Sequence, residues 1–456
     1  MKEIEIILEE LSGIIWGNYL IITLIGVGLF FTIITGGIQI KGFPLAIKEL
    51  VNSLRGKNEI KREGTLSAFQ ALCTALSSCV GNGNIVGVAT AIASGGPGAV
   101  FWMWFAGIVG MATKYAEIVL GIIYREKSDD GTYVGGPMYY LSKGLGWKKI
   151  ATLFSILMFL QISGGALIQS NAVAIVIKDM FKIKPIFSGI MMAGVITAVV
   201  IGGVRRLGKV AERIIPVMTI TYFIGGLIII ISNFNHISYA IINIITCAFN
   251  TEAVGGGVLG YTIKEAMRFG VARGLYSNEA GEGSAPVLHS AAITDHPARQ
   301  GLYGILEVFI DTVVICSLTA FIVLTSGVME MNVSPAVYVI TAFGTIHPMF
   351  RYVVGISMVL FAFSTILSQW YFGNVTLTYI FNSKVASYFK YVFVCLAIMG
   401  SLSSLKIVWL IQDIVLGLMI IPNLIGLLLL NGKVKDATKD FWNMINRGEI
   451  KKYVSK

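Results

Sequence analysis

Apolar runs long enough to cross a bilayer recur from one end of the chain to the other, separated by short polar segments. A helix that spans the hydrocarbon core needs about 20 mainly apolar residues. The pattern therefore predicts an all-α, polytopic membrane protein with eleven transmembrane helices. These lie near residues 15–39, 66–93, 97–124, 150–178, 186–204, 212–232, 264–293, 300–326, 350–380, 387–404 and 407–431. Two shorter apolar segments, 236–250 and 335–346, are predicted to be interfacial helices.

Glycines and polar residues interrupt two of these spans. Gly81-Asn82-Gly83-Asn84 lies in the second span and Gly281-Glu282-Gly283-Ser284 in the seventh. A helix that breaks at mid-membrane leaves N–H and C=O groups that only protein, water or a ligand can satisfy. Close helix packing alone would explain the glycines, but not the Asn and Glu residues beside them. Paired breaks in two halves of a chain are typical of the binding site of a secondary transporter.

Lysine and arginine are distributed unevenly between the loops. Twenty-five of them fall in loops on one side of the predicted spans, and five in loops on the other. The positive-inside rule therefore predicts a multi-pass protein of the cell membrane with its N-terminus outside and its C-terminus in the cytoplasm. The net charge of +10 is explained by these loops, so no nucleic-acid partner is expected. The acidic start, Met1 to Glu10, indicates no cleavable signal.

The predicted orientation makes the second span run outward and the seventh run inward. Spans two to six and seven to eleven then form two five-helix repeats of inverted topology, with the first span left over. The predicted division is an extra helix and basic cytoplasmic loop (1–64), the first repeat (65–232), an extracellular linker with an interfacial helix (233–263), the second repeat (264–431) and a basic cytoplasmic tail (432–456).

Other charged residues also lie inside predicted spans. Lys114 and Glu117 are three residues apart on one helix face and are candidates for an ion pair. Glu307 and Asp311 are four apart and would carry protons in a rival mechanism, proton-coupled transport. The four histidines show no spacing typical of a relay, which weakens that rival. The five cysteines lack metal-ligand spacing and are expected to be small buried side chains.

The motifs of other functional classes are missing from the sequence. No His-Glu-x-x-His, Gly-x-Ser-x-Gly or P-loop pattern occurs, so the chain is not expected to be an enzyme or to use nucleotide energy. A channel remains a much weaker alternative, because no selectivity-filter repeat is present. Transport is therefore expected to draw on an ion gradient.

Four sequence runs resemble the signature of the alanine or glycine:cation symporter family. They are Val80 to Ile85, Gly95 to Trp104, Gly274 to Gly281 and Asp295 to Gly301. The resemblance covers nearly the whole chain. It implies a leucine-transporter-like fold and sodium-coupled uptake of alanine and glycine across the lipid bilayer. Na⁺ would be the coupling ion, and no obligate protein partner is implied.

This sequence departs from the family pattern at three positions. Cys79 and Asn82 stand where the family usually has threonine, and Glu282 where it has an apolar residue. The first two bear on the expected ligands, and the third adds a carboxylate beside the second break.

A zwitterionic substrate needs partners at both of its ends. The N–H groups of Gly81, Asn82 and Gly83, with the helix that starts near Asn84, are expected to face the substrate carboxylate. Carbonyls at the end of the preceding half-helix suit the ammonium group or a sodium ion. The expected substrate-binding residues are Ser78, Cys79, Gly81, Asn82, Gly83, Gln161, Gln169, Tyr276, Ser277, Asn278, Gly281 and Trp370.

The resemblance also implies a sodium site between the first broken helix and the ninth span. Sodium is a hard cation that prefers oxygen ligands. The expected cation ligands are the carbonyls of Cys79 and Val80 and the hydroxyls of Ser364 and Thr365, with Asn84 included. Glu279 and Glu282 are expected to act as gate residues or as further ion ligands.

Overall fold

The computed structural model describes residues 2–55, 64–249, 262–402 and 405–449. Basic residues 57, 61, 62, 451, 452 and 456, and residues 250–261 of the predicted linker, lie outside this part of the chain. The described helices are α1 (Lys2–Ile15), α2 (Asn18–Ile34), α3 (Ile38–Lys41), α4 (Phe43–Leu54), α5 (Ala68–Cys79), α6 (Val88–Gly95), α7 (Gly98–Ile123), α8 (Pro137–Gly144), α9 (Lys148–Phe181), α10 (Pro185–Val200), α11 (Gly203–Ser232), α12 (Ile237–Phe249), α13 (Ile263–Asn278), α14 (Ala285–His289), α15 (Pro297–Val308), α16 (Ser317–Thr325), α17 (Tyr338–Ile346), α18 (Phe350–Ile380), α19 (Ser383–Leu402), α20 (Lys406–Leu429) and α21 (Asn431–Arg447).

The remaining regular structure is short. π-helical turns occupy Gly83–Gly87 and Phe309–Cys316, and the second of these joins α15 to α16. Single 3₁₀ turns occur at Phe234–His236, Val328–Glu330 and Pro335–Val337. A two-residue antiparallel pair, β1 (Glu126–Lys127) and β2 (Tyr133–Val134), follows α7.

Eight helical segments of the described residues are long and apolar enough to cross a membrane. They are Glu3–Ile34, Gly98–Ile123, Lys148–Phe181, Gly203–Ser232, Pro297–Thr325, Phe350–Ile380, Ser383–Leu402 and Ile407–Leu429. The pair α5 and Gly83–Gly95, bent by 50°, makes a ninth if it is counted as one span. The polytopic helical architecture is therefore confirmed, whereas the count of eleven is not reached by length and composition alone.

The two predicted spans outside that count are occupied by shorter helices. α10 has 16 residues, and the seventh predicted span is divided into α13 and α14. The segments predicted as interfacial do form short apolar helices at Phe234–Phe249 and Pro335–Ile346.

Two predicted spans were wrong at their N-terminal ends. The first span starts near residue 3 rather than 15, because α1 is helical although it carries acidic side chains. The sixth starts at Gly203 rather than 212, because the basic residues assigned to a loop continue the helix. Charged side chains at helix ends reach the interface while their backbone stays helical.

Long helices surround the two interrupted ones. α9 packs against α18, α19 and α20, and α7 packs against α13 and α15. α7 is buried on nearly all sides, with 89% of its most apolar window inside the protein. The broken segments therefore lie among other helices, where protein groups satisfy their backbone.

Candidate functional site

The first helix break is confirmed, and its sequence explains its geometry. α5 begins with a capping box in which the Ser67 hydroxyl accepts from the Gln70 N–H and the Gln70 side chain accepts from the Ser67 N–H. It ends at Cys79, where Val80 turns to extended backbone and still donates its N–H to Leu76. A π-helical turn follows at Gly83–Gly87, a form often found at functional sites.

One expected feature of this break was wrong. The N–H of Gly81 was expected to face a substrate, but it donates to Oδ1 of Asn84 at 2.8 Å. Asn84 in turn donates to Oδ1 of Asp311 at 2.6 Å. The short side chain of Asn84 thus closes the break on itself and ties it to the π-helical turn of the eighth predicted span.

The second break is confirmed as well. α13 ends at Asn278, and Glu279 adopts a left-handed conformation with φ of 55°. Gly281 and Gly283 have φ of 93° and 83°, which glycine adopts without steric cost. Their surroundings are close, since a Cβ on Gly281 would lie 2.8 Å from Leu24 and one on Gly283 would clash with Pro137.

The two breaks contact each other directly. Ser78 donates its hydroxyl to Oε2 of Glu279 at 3.1 Å, and Ser284 donates to the same oxygen at 2.5 Å. At one end of the pair, the backbone N–H of Leu66 donates to the carbonyl of Ala291, and the N–H of Ile293 donates to the carbonyl of Leu66. The broken helices therefore form one hydrogen-bonded unit.

A small cavity, here called the central cavity, lies between the breaks and three neighbouring helices. Its volume is about 50 Å³. A buried water needs roughly 10–15 Å³, so the cavity has room for a few small groups. It is lined by Ser78, Cys79, Gly81, Gly83, Gln161, Gln169, Tyr276, Ser277, Glu279, Glu282, Thr365, Gln369, Gln412 and Leu416.

Eleven of the predicted site residues meet in this lining, and the others lie around it. Asn82 donates to Oε1 of Gln169 at 3.3 Å, and Asn278 donates to Thr312 at 3.1 Å. The carbonyl of Gly281 accepts from Asn423 at 2.8 Å. Trp370 is buried, but the cavity lining contains its neighbour Gln369 instead.

The predicted cation ligands separate into two groups. Thr365 lines the central cavity and approaches the first break, since a Cβ on Gly81 would lie 3.1 Å from its Oγ1. Its hydroxyl donates to the carbonyl of Phe361, which leaves the oxygen lone pairs available. Ser364 also donates to Phe361, but it lies against Met218 and outside the lining.

The predicted pair of Lys114 with Glu117 was wrong. Lys114 pairs with Glu307 at 2.9 Å and donates to the Asn278 carbonyl at 2.6 Å. Glu307 also lies 3.2 Å from Nε2 of His289 and accepts from the Cys79 thiol at 2.9 Å. Lys114 thus donates to a carbonyl at the C-terminal end of α13, where a positive charge is favourable.

Glu117 has a different role from the one expected. Its Oε1 accepts from the N–H of Gly283 at 2.9 Å and from Asn423 at 2.7 Å. Asn423 in turn accepts from the Tyr140 hydroxyl. The carboxyl group of Glu117 holds the second break against α7 and α20.

His289 also corrects an expectation, because it joins a buried hydrogen-bonded chain. Its Nδ1 lies 2.7 Å from Nε2 of Gln300, and its Nε2 lies 3.2 Å from Glu307. The sequence spacing did not indicate these contacts, because they form only when the chain turns between α14 and α15.

Three lining residues were not predicted from sequence, the apolar Leu416 and two polar residues. Gln369 on α18 and Gln412 on α20 place polar groups in the cavity wall. Each is a polar residue within a predicted span, which is the signal that could have identified it. Many such residues bond to neighbouring helices instead, so the signal alone does not select these two.

A second, larger cavity of about 150 Å³ adjoins the first at Tyr276. Its lining includes Trp16, Arg273 and Asp413 besides Tyr276. The indole N–H of Trp16 donates to the backbone carbonyl of Asp413 at 2.9 Å. One aromatic side chain therefore lies in the walls of both cavities.

Comparison with known proteins agrees with this geometry. MhsT in complex with L-phenylalanine, a protein of the leucine-transporter fold, has a similar structure with a TM-score of 0.61 at 14% identity, over 83% of this chain and 93% of that one. The uncharacterized transporter YflA of Bacillus subtilis (strain 168) is 41% identical over 97% of this chain and 94% of its own. The sodium/alanine symporter AgcS of Methanococcus maripaludis is 39% identical over 98% of both chains.

The sequence profile of the sodium:alanine symporter family matches residues 1–455. The profile and the relatives are those of transporters and not of enzymes. With two broken helices around a small polar cavity and relatives that match along nearly their whole length, this chain belongs to the sodium:alanine symporter family.

Proposed function

We propose that this protein couples the entry of Na⁺ to the uptake of alanine and glycine by alternating access. The observation that carries the proposal is the central cavity, which lies between the two broken helices and is small enough to suit these substrates. The relative AgcS is named a sodium/alanine symporter, which supports the ion and the first substrate. Glycine is proposed because a cavity that accepts alanine has space for it.

The proposed architecture has two inverted repeats of five spans. α5 and α6 form the first broken span of one repeat, and α13 and α14 that of the other. The N-terminus is proposed to lie outside a cell membrane and the C-terminus in the cytoplasm. Under that orientation the 150 Å³ cavity is an outer vestibule, and Tyr276 is the side chain that separates it from the substrate.

In the proposed cation site, Na⁺ is held by the carbonyls of Cys79 and Val80 and by the hydroxyl of Thr365. These are oxygen ligands at a helix end, which suits a hard cation. Ser364 and Asn84 were candidates for the same site, but neither lines the central cavity: Ser364 lies against Met218, and Asn84 bonds to Gly81 and Asp311. We therefore assign Thr365 as the side-chain ligand. Binding must favour one conformation if the ion is to drive transport.

The pair Thr365→Val and Ser364→Ala tests this assignment. Valine keeps the shape of threonine and removes the oxygen. We expect Thr365→Val to raise the sodium concentration for half-maximal alanine uptake about tenfold or more, since bonds to charged groups contribute about 1.5–3 kcal/mol. Ser364→Ala should change it less than about threefold, because its hydroxyl bonds to Phe361 of its own helix, contacts Met218 and lies outside the cavity lining. Equal effects of the two variants would contradict the assignment.

Proton coupling is the second candidate, and one observation favours it. Around the breaks, the described residues include four buried carboxyl groups, those of Glu117, Glu282, Glu307 and Asp311, and one buried lysine, Lys114. Uncompensated charges inside a membrane are costly, so some of these groups must be protonated or neutralised by cations. Uptake that follows a proton gradient without sodium would favour this candidate over the first.

A further inference from the structure

The wall of the central cavity is unusually rich in hydrogen-bond acceptors. Glu282, Gln369 and Gln412 all face it, together with Gln161. The first three come from the second break, α18 and α20, so they converge from separate elements. α18 and α20 both pack against α9, which contributes Gln161. A cavity built for a methyl group alone would be expected to have apolar side chains there.

These acceptors have no partners among the described residues. Oε1 of Gln369 and Oε1 of Gln412 are buried and accept no hydrogen bond, although the two residues are only 7% and 6% exposed. Glu282 is 5% exposed, and its carboxylate accepts no hydrogen bond from the part of the chain that the structure describes. Buried acceptors without donors are rare in native proteins and call for an explanation.

Glycines on α9 leave room for the glutamines, closely so at Gly165. A Cβ on Gly165 would clash with the amide of Gln369, and one on Gly164 would lie 3.8 Å from Cβ of Gln412. The neighbouring helix therefore leaves space for the Gln369 amide where any side chain would displace it. Fixed acceptors are the kind of group that orients a ligand and selects it.

We infer that the site also binds small amino acids whose side chain carries a hydrogen-bond donor, in preference to apolar analogues of the same size, and that Glu282, Gln369 and Gln412 make this selection. The inference rests on the proposed function and adds serine to the proposed substrates alanine and glycine. The α-ammonium and α-carboxylate of the substrate are placed by the two breaks. The side chain then points to the three acceptors, where a hydroxyl supplies the missing donor and a methyl group supplies none. The cavity volume favours serine over longer donors.

Serine and 2-aminobutyrate form the pair that tests this inference. They differ by a hydroxyl in place of a methyl group and are nearly equal in shape. Sites that hydrogen-bond a substrate hydroxyl can reject the analogue without it by about 10⁴–10⁵-fold. We expect serine to stabilise the purified protein at a concentration at least about tenfold lower than 2-aminobutyrate, measured by melting temperature at fixed sodium.

Three variants and one control assign the preference to these residues. In Gln369→Leu, Gln412→Leu and Glu282→Leu the ratio between the two ligands should fall below about threefold, since each removes an acceptor. Gln39→Leu is the matched control, because Gln39 is also a buried glutamine with an unpartnered Oε1, but it lies on α3. The control should keep the wild-type ratio.

Failure of the inference is distinguishable from failure of the proposed function. A wild-type protein that binds both ligands equally, or that neither stabilises, would overturn the inference, as would variants that all keep the preference. Where a variant does not fold, the wild-type comparison decides by itself. If serine stabilises the protein but no sodium gradient drives uptake, the coupling is wrong and the side-chain preference stands.

Discussion

At the residue scale, Lys114 shows how a single charge is accommodated between spans. It is fully buried and contacts the carboxylate of Glu307, the carbonyl of Asn278 and the thiol of Cys79. Cys79 belongs to the first break and Asn278 to the second. A buried ion pair contributes little net stability compared with apolar residues, but an unpaired buried charge is strongly destabilising. Lys114 is therefore best understood as a residue that positions both breaks.

A double-mutant cycle tests this interpretation. Lys114→Met leaves Glu307 without its cation and should lower the free energy of unfolding by about 3–5 kcal/mol. The double variant Lys114→Met/Glu307→Gln should recover part of that loss, since no unpaired charge remains. The measurement is the melting temperature in detergent. A double variant that melts no higher than the single one would contradict this account.

Glycine at the second break offers a further prediction at the residue scale. Gly283→Ala places a Cβ at positive φ and against Pro137. We expect a loss of about 2–5 kcal/mol, from roughly 1–3 for the backbone and a similar cost for overpacking.

The matched control for Gly283→Ala is Gly146→Ala. Gly146 also has positive φ, of 73°, but a Cβ there would meet nothing within 4 Å. Gly146→Ala should show the backbone cost alone. If the two variants melt at the same temperature, close packing at the second break is not a constraint.

At the element scale, the spans and both breaks could be predicted because lipid imposes the rule. Every backbone group must be satisfied within the membrane, so long apolar runs become helices and glycine-rich polar interruptions become breaks. The same rule predicted the first break, around residues 80–84, and the second break, around residues 279–284. Boundaries such as the start of α11 were missed because charge alone does not end a helix.

The contacts between elements could not be predicted, since they depend on which helix faces which. Lys114 faces Glu307 on α15 instead of Glu117 on its own helix. Asn84 satisfies the N–H of Gly81 that the sequence left for a ligand. Gln412 lies in the cavity only because α20 packs against α9. Each of these outcomes requires the packing of helices far apart in sequence.

At the scale of the whole molecule, ionic contacts join the helices outside the spans to the core. Arg299 pairs with Glu49 of α4 at 2.6 Å and with Asp295 at 2.8 Å. His296 lies 3.3 Å from Asp440 of α21. Burial raises the pKa of Glu49 to about 7, although Arg299 beside it acts in the opposite direction. Burial also lowers the pKa of His296, against the effect of its hydrogen bond to Asp440.

These shifts predict opposite effects of pH on stability. The pKa of Glu49 is raised, so its contribution is present below about 4.5 and is lost as pH rises through about 7. Relative to Glu49→Gln, the wild type should lose up to about 3 kcal/mol over this window, at 1.36 kcal/mol per pKa unit. His296 acts the other way, and its contribution is lost as pH falls below 6.5. Melting temperatures of both proteins between pH 5 and 8 measure the difference, and parallel curves would contradict the prediction.

The central claim for the whole molecule is that a sodium gradient drives alanine uptake through the cavity between the breaks. The most direct measurement is uptake of labelled alanine into proteoliposomes that contain the purified protein, with an inward sodium gradient in one set and an inward proton gradient in the other. The account predicts accumulation that requires sodium and is strongly reduced in Thr365→Val. Accumulation driven by protons without sodium, or unchanged in Thr365→Val, would contradict it.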